Sequence, residues 1–217
     1  MMIVTLDGPA GAGKSSAART LARRLAFDFL DTGAMYRAVT LAALRAGIDL
    51  CDQAALADLL VDFRLEMPPG RVVLNGEDVT TAIRTGQVTK SSSPIAESPV
   101  VREHLVRLQR AIAAGRKMVC EGRDQGTVVF PDAICKFFLV ADPLERARRR
   151  QRDMAERGEM QALEEVLRAQ EERDRRDRAR NLAPMVPAAD AIVLDSTSMS
   201  LDEVVNRMED EVRRRMK

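Results

Sequence analysis

The residues with the clearest chemistry lie near the amino terminus, in the stretch GPAGAGKSS over 8–16. The spacing G-x-x-x-x-G-K-[ST] is matched there by Gly8, Gly13, Lys14 and Ser15. The match lies between an apolar run and a helical pattern, which is the context that a phosphate-binding loop, or P-loop, requires. The glycines let backbone N–H groups converge on phosphate oxygens, and Lys14 would reach the β- and γ-phosphates. The stretch therefore predicts a site for a nucleoside triphosphate rather than a bare structural turn.

The whole loop is predicted to contribute to triphosphate binding. The residues concerned are Gly8, Gly11, Ala12, Gly13, Lys14, Ser15 and Ser16. The hydroxyl of Ser15 is the predicted ligand of the Mg²⁺ ion that accompanies a bound triphosphate.

A second polar stretch, EGRDQGTVVFPDA over 121–133, follows a short apolar run that is typical of a buried strand. Glu121 lies at the carboxyl end of that strand, where a carboxylate near a P-loop organises Mg²⁺ and water. Arg123 and Asp124 follow on the next loop. We therefore expect these side chains to lie over the same site.

A P-loop alone does not separate kinases from other ATPases, GTPases and switches. The nearest string to the guanine-recognition pattern Asn/Thr-Lys-x-Asp is VTKSSS, which lacks the aspartate, and this disfavours a GTPase. The stretch DTGAMYR offers the Thr32 hydroxyl, the Tyr36 phenol and the Arg37 guanidinium at a predicted helix start. The same stretch is also ordinary helix-capping chemistry, so both interpretations stay open from the residues alone.

An arginine-rich segment covers 142–180, with twelve arginines, eleven acidic residues and no lysine. One interpretation is a solvated helix with many ion pairs along its surface. However, Arg173, Asp177 and Arg180 fall at i, i+4 and i+7, on one helical face, and arginine suits a planar, bidentate grip on phosphate. Next to a P-loop, this favours a lid that closes over transferring phosphates. A tail that binds nucleic acid is the weaker option because acidic and basic residues are interspersed.

Short apolar runs alternate with helical patterns along the chain, and these elements would position the chemical groups. The predicted strands lie at 2–6, 27–30, 117–121, 136–141 and 191–195, and the predicted helical patterns at about 14–26, 33–46, 99–115, 142–180 and 200–216. Buried apolar strands that alternate with helices indicate an α/β fold, here a five-stranded parallel sheet with helices on both faces.

One region interrupts this alternation. Residues 63–78 carry Pro-Pro-Gly and Asn-Gly turns between short β-prone runs, which predicts a small antiparallel hairpin or three-strand patch. The Ser- and Pro-rich stretch at 89–99 is predicted to be a loop. We therefore expect an insert over 60–98 in a core formed by 1–59 and 99–217, with the lid at about 150–180.

Composition limits the class of protein. The chain of 217 residues has a net charge of +1, which gives no overall field that would favour nucleic acid or a membrane surface. No apolar run approaches the length of a membrane span, and the initial apolar run is too short for a secretion signal. The three cysteines, Cys51, Cys120 and Cys135, show no CxxC spacing. These features favour a cytoplasmic protein with reduced thiols, in which Cys120 and Cys135 belong to the core.

Several stretches together resemble the bacterial cytidylate kinases. In chain order they are LDGPAGAGKSS, LDTGAMYRA, LNGEDVTTAIR, EGRDQGTVVFPDA, ERDRRDRAR and DSTSMSLDEVV. The resemblance extends from the amino terminus almost to the carboxyl terminus. It implies the P-loop fold of nucleoside monophosphate kinases, with a nucleoside-monophosphate-binding insert and a mobile arginine-rich lid. It also implies transfer of the γ-phosphoryl group of ATP to CMP or dCMP with Mg²⁺.

The resemblance also implies roles for individual residues. The cytosine edge would meet Ser93, Arg102 and Asp124. The acceptor nucleotide, mainly its phosphate, would be held by Thr32, Tyr36, Arg37 and Arg123. From the lid, Arg173 and Arg180 would contact the phosphates and Asp177 the acceptor ribose. The residues expected to act on the transferring group are Lys14, Arg123, Arg173 and Arg180. Ser15 stands where these kinases often have glycine, which makes Ser16 the alternative Mg²⁺ ligand. Thr32 replaces the serine that is usual in these kinases, and Glu121 replaces an aspartate.

Two other functions stay open from the residues. A kinase of the same fold would use another acceptor, such as UMP, AMP or a small alcohol. A nucleotide-gated binding protein would use the P-loop as a switch and the arginine-rich segment to dock a partner. We expect a monomer whose partners are ATP and CMP or dCMP, without nucleic acid or membrane.

Overall fold

The computed structural model describes residues 2–156 and 158–216. The chain divides into two compact units, each described here by itself. Unit 1 comprises the described parts of Met1–Phe29 and Gly115–Lys217, and unit 2 comprises Leu30–Ala114.

The strands and helices follow one another in the order expected of an α/β protein. The strands are β1 (Met2–Asp7), β2 (Asp28–Asp31), β3 (Leu65–Glu66), β4 (Val73–Leu74), β5 (Glu77–Asp78), β6 (Lys117–Glu121), β7 (Cys135–Val140) and β8 (Ile192–Asp195). The α-helices are α1 (Lys14–Leu25), α2 (Thr32–Arg45), α3 (Gln53–Val61), α4 (Gly86–Glu97), α5 (Pro99–Ala113), α6 (Pro143–Ala155), α7 (Leu163–Ala179) and α8 (Leu201–Arg215). A 3-10 turn covers Ala82–Arg84 and a π-helical turn covers Gln125–Val129.

The central sheet has the strand order β2-β6-β1-β7-β8. Strand β1 pairs in parallel with β6 and with β7, and β7 pairs in parallel with β8. The predicted five-stranded parallel sheet is therefore confirmed. Because β6 and β7 flank β1, the carboxyl ends of these three strands meet at the point where the strand order reverses, which is where α/β folds bind ligands.

One face of the sheet carries the main apolar core of unit 1. Helix α1 buries Ala17, Ala18, Leu21 and Ala22, and helix α8 buries Val204, Val205, Met208 and Val212. These side chains pack against alternate residues of the strands, such as Val4, Leu6 and Phe137. Helix α8 begins at a capping box, in which Ser200 and Glu203 each accept a hydrogen bond from the other's backbone N–H. The core thus fixes α1, the helix that starts at the P-loop.

Helical structure also lies against the opposite face. Thr5 of β1 points away from the α1 side because it alternates with Val4 and Leu6. A Cβ atom at Gly126, in the π-helical turn, would lie 2.9 Å from Thr5 Oγ1 and 3.2 Å from Lys136 Cδ. A larger residue at position 126 would therefore require the Thr5 or Lys136 side chain to move. Cys120 and Cys135 are fully buried in their strands, as predicted, and all three cysteines are free.

Unit 2 contains the predicted three-strand patch, with antiparallel order β3-β4-β5. Asn75 and Gly76 form the two-residue turn between β4 and β5, with φ angles of 49° and 87°. Two consecutive positive φ angles are what a tight hairpin turn requires, and Asn-Gly adopts them at low cost. The Asn-Gly signal therefore predicted this hairpin correctly.

The predicted loop at 89–99 is wrong, because α4 covers most of it. Thr85 caps the helix by accepting a hydrogen bond from the N–H of Val88, and Val88 and Ile95 are buried. Pro94 lies inside the helix despite its missing N–H. Burial of this apolar face outweighs the weak helix propensity of the serines and the proline. The helical pattern at 142–180 is likewise divided into α6 and α7.

The predicted insert at 60–98 lies within unit 2, and its bounds stay a prediction. Across the described ranges, every helix is too short or too polar to span a lipid bilayer.

Candidate functional site

The P-loop connects β1 to α1 and owes its shape to glycine. Gly8 has a φ of 134°, and a Cβ atom there would lie 2.1 Å from the backbone oxygen of Leu139 in β7. Gly13 precedes α1 with a φ of 87°. These positions need glycine both for the left-handed backbone and, at Gly8, for direct contact between main chains. The loop is thus pressed against the sheet at the amino end of α1.

Lys14 is the first residue of α1 and is 5% exposed. Its Nζ donates a hydrogen bond of 2.6 Å to the carbonyl oxygen of Pro9. Burial and the nearby Arg123 guanidinium lower the pKa of Lys14 to about 7, although Glu121 and Asp7 act in the opposite direction. A buried ammonium group at the first residue of a helix is suited to bind an anion such as a phosphate.

Two oxygen ligands suited to Mg²⁺ lie together beside the loop. The Ser15 hydroxyl donates a hydrogen bond of 2.6 Å to Glu121 Oε1. The two residues that the sequence analysis placed near Mg²⁺ are therefore in direct contact. Mg²⁺ prefers oxygen ligands and takes only a few of them from the protein. Water molecules and phosphate oxygens supply its other ligands. Among the residues that the structure describes, no cluster of three or more His, Cys, Asp or Glu side chains forms an all-protein metal site. The donor set therefore fits Mg²⁺ that arrives with a nucleotide.

Asp7 is a site residue that the sequence analysis missed. Its two carboxylate oxygens accept hydrogen bonds from the N–H groups of Gln125 at 2.9 Å and Gly126 at 2.8 Å. Burial raises the pKa of Asp7 to about 7, against the effect of these two N–H donors. The contact ties the loop that carries Arg123 and Asp124 to the end of β1. Asp7 could have been recognised as a site residue from the sequence, because it is a carboxylate at the end of a buried strand and directly precedes Gly8.

The predicted arginine face of the lid segment is present in α7 and its end. Asp177 is buried and accepts a hydrogen bond of 3.0 Å from Arg123 Nε, and it also forms an ion pair with Arg180. Burial alone would raise the pKa of Asp177, but Arg123, Arg180 and Arg173 outweigh it and the pKa is lowered. The structure thus brings these three arginines around one carboxylate. Guanidinium groups are the side chains best suited to bind phosphate oxygens.

In unit 2, two arginines share a carboxylate at the start of α2. Asp31 caps the helix by accepting a hydrogen bond of 2.8 Å from the N–H of Ala34. Its Oδ2 lies 3.4 Å from Arg37 Nη2 and 3.6 Å from Arg84 Nη2. Thr32 is the first residue of the helix and is buried. The Asp-Thr-Gly stretch therefore caps helix α2 and also places polar side chains next to one another, so the two interpretations of this stretch are compatible. Arg84 was missed because it lies far from this stretch in sequence.

Two of the other predicted acceptor residues of unit 2, Tyr36 and Arg102, lie close together. The Arg102 guanidinium lies 5.9 Å from the centre of the Tyr36 ring, and it donates a hydrogen bond of 3.3 Å to the carbonyl of Ala96. Ser93 is buried on α4. Arg102 is 7% exposed, so its charge is held largely out of water.

The residues assigned by resemblance are thus distributed over the two units. Unit 1 contains Arg123, Asp124, Arg173, Asp177 and Arg180, and unit 2 contains Thr32, Tyr36, Arg37, Ser93 and Arg102. Their contacts with an acceptor stay predictions.

Comparison with known proteins assigns the family. Residues 4–214 match the family model described as cytidylate kinase. The chain belongs to the cytidylate kinase family. A cytidylate kinase from Rhodopirellula baltica is 51% identical over 203 residues, which cover 94% of this chain and 89% of that protein. A cytidylate kinase from Pelotomaculum thermopropionicum is 50% identical over 207 residues, covering 93% and 92%.

A solved structure supports the fold of this family member independently of close sequence similarity. An uncharacterized protein from Eubacterium ventriosum aligns over 98% of this chain and 99% of its own, with a TM-score of 0.53 and 12% identity. At that identity the likeness concerns the fold alone.

Proposed function

We propose that the protein transfers the γ-phosphoryl group of ATP to CMP or dCMP, giving ADP and CDP or dCDP. The observation that carries this proposal is the match to cytidylate kinases over residues 4–214, which includes both the P-loop and the arginine-rich segment. The relatives that match over this range are cytidylate kinases, which favours an enzyme over a nucleotide-gated switch.

ATP is proposed to bind at the P-loop, with Lys14 on the β- and γ-phosphates and the loop N–H groups around them. Ser15 and Glu121 are the residues that would hold Mg²⁺, which would neutralise charge on the phosphate oxygens. Ser15 is favoured over Ser16 because Ser15 contacts Glu121.

The acceptor needs no general base, because a phosphate oxygen of CMP is already ionised. Catalysis then consists of positioning the two nucleotides and stabilising the charge of the transferring group. Arg123, Arg173 and Arg180 are proposed to supply that stabilisation, since all three act on the same carboxylate, Asp177, and guanidinium groups bind phosphate oxygens well. In this role the segment at about 150–180 acts as the lid.

The acceptor phosphate is proposed to bind Thr32, Tyr36 and Arg37. At Asp31, two guanidinium groups lie near the amino end of α2, and both features favour an anion such as a phosphate. Cytosine is proposed to contact Ser93, Arg102 and Asp124, and the acceptor ribose to contact Asp177. The insert at 60–98, the monomeric state, the cytoplasmic location and the absence of nucleic-acid and membrane partners stay predictions.

The test is a coupled assay of ADP formation with ATP, Mg²⁺ and each common nucleoside monophosphate in turn. We expect ADP to form rapidly with CMP and dCMP and slowly with the others. A reaction without any acceptor gives the background rate. ADP formation that is equally fast in that control would indicate a switch or simple ATPase, and a higher rate with UMP or AMP would indicate another acceptor.

A further inference from the structure

Side chains bind three carbonyl groups of the P-loop. The carbonyl of Pro9 accepts from Lys14, as described above. The carbonyl of Ala10 accepts a hydrogen bond of 2.9 Å from Arg146 Nη1. The carbonyl of Ala12 lies 3.1 Å from Ser196 Oγ, whose single hydroxyl hydrogen is shared with the carbonyl of Val140, also at 3.1 Å. Arg146 on α6 and Ser196 after β8 are distant from the loop in sequence, and they are only 4% and 3% exposed.

These contacts affect phosphate binding because each peptide group carries an N–H donor on one side and a carbonyl acceptor on the other. When a loop directs N–H groups toward an anion, the carbonyl groups must find donors elsewhere. A buried carbonyl without a donor is costly, so removing the donor favours rotation of the peptide toward another partner. The donors to Ala10 and Ala12 therefore help to fix which way the loop N–H groups face.

Arg146 is itself held from several directions. Its guanidinium forms a buried ion pair of 2.5 Å with Asp174 of α7 and donates a hydrogen bond of 3.1 Å to the carbonyl of Ala141. A Cβ atom at Gly11 would lie 2.9 Å from the Arg146 carbonyl oxygen and 2.7 Å from Gln170 Nε2. The P-loop thus packs directly against α6 and α7 and has no space to shift toward them.

We propose that Arg146 and Ser196 are positioning residues for the phosphates of ATP, and that Asp174 holds Arg146 in place from α7. This inference rests on the proposed function only in taking the triphosphate as ligand. Neither side chain needs to touch the nucleotide. Each acts through a P-loop carbonyl, so its loss weakens binding of the phosphates and leaves binding of CMP unchanged.

The test compares five variants with the wild type. Arg146→Met removes the donor to Ala10 but leaves Asp174 buried without its partner, so the double variant Arg146→Met/Asp174→Leu removes both charges together. Ser196→Ala removes the donor to Ala12 with a smaller perturbation. Arg148→Met is the matched control, because Arg148 is an exposed arginine on the same helix.

Calorimetry measures the Kd of each variant for Mg-ATP, for tripolyphosphate as a phosphate-only probe, and for CMP. We expect Kd for ATP and for tripolyphosphate to rise about tenfold or more in the double variant and in Ser196→Ala, with Kd for CMP unchanged. Arg146→Lys keeps the charge but loses the forked geometry, so it should give an intermediate Kd. Thermal unfolding verifies that each variant is folded. If the double variant does not fold, the proposal is tested by the Kd values of Ser196→Ala.

Unchanged binding of tripolyphosphate in Ser196→Ala and the double variant would overturn the proposal. An equal loss of ATP and CMP binding would also overturn it, since that is the signature of a general structural role. Failure of the proposed function is distinguishable: the wild type would then not phosphorylate CMP, while the effect of these variants on tripolyphosphate binding would persist.

Discussion

At the scale of single residues, Lys14 has the most clearly defined task. Its ammonium group is buried at the start of α1, where it can follow the charge of a phosphoryl group that leaves ATP. We expect Lys14→Ala to fold normally and to lower kcat by about 10³-fold, because transition-state charge loses its main cationic partner. Steady-state kinetics measures this. A variant that retains more than about a tenth of the wild-type rate would remove Lys14 from the catalytic role.

The protonation of Lys14 gives a pH-dependent prediction. Because burial lowers its pKa to about 7, the ligand-free enzyme loses this positive charge as the pH rises through that value. A bound triphosphate favours the charged form, so ATP binding at about pH 8 should take up a proton and ATP affinity should fall at higher pH. Calorimetry in buffers of different ionisation enthalpy measures the uptake, with Lys14→Gln as the control. Equal uptake by wild type and Lys14→Gln would contradict this assignment.

Asp124 is the residue on which base discrimination is predicted to depend. Cytosine presents an N4 amine donor, which a carboxylate accepts, whereas uracil presents an O4 acceptor, which a carboxylate repels. We expect the wild type to prefer CMP over UMP by about 10² to 10⁴ in kcat/KM. Asp124→Ala should reduce activity with CMP far more than with UMP, because the mismatch with uracil disappears together with the contact to cytosine. An unchanged CMP/UMP ratio would show that Asp124 does not contact the base.

At the scale of elements, the close approach of the P-loop to β7 gives a stability prediction. Gly8→Ala would place a Cβ atom against the Leu139 carbonyl, and it should lower the free energy of unfolding by about 3 kcal/mol or more. Gly47→Ala is the matched control, because Gly47 also has a positive φ but no atom within 4 Å of the added Cβ. Strain alone should cost about 1 kcal/mol there. Denaturant unfolding measures both, and equal losses would show that the contact with β7 is unimportant.

The sequence predicted elements better than it predicted contacts. The strands of the central sheet lie within one or two residues of the predicted ranges, because each is a short apolar run bounded by polar residues. Helix α4 was missed because burial of Val88 and Ile95 is a tertiary effect that Ser and Pro propensities do not reveal. The contacts of Asp7 with Gln125, and of Arg146 with Asp174, join positions 118 and 28 residues apart. No local pattern specifies such pairs.

At the scale of the whole molecule, the site depends on two loops of unit 1 that leave the central sheet at the same edge. The P-loop follows β1. Glu121 is the last residue of β6, and the loop with Arg123 and Asp124 follows it. Strands β1 and β6 are parallel neighbours, so both loops leave the sheet at the same edge. Membership of the cytidylate kinase family indicates that phosphoryl transfer takes place at this edge of the sheet. The acceptor of the phosphoryl group is therefore the property to measure.

The most direct measurement follows the label of [γ-³²P]ATP in a single reaction that contains Mg²⁺ and equal concentrations of CMP and UMP. The account predicts that the label enters CDP, with little in UDP or inorganic phosphate, because competing acceptors are used in the ratio of their kcat/KM values. Label mainly in inorganic phosphate would contradict phosphoryl transfer to a nucleotide. Label divided equally between CDP and UDP would contradict recognition of cytosine.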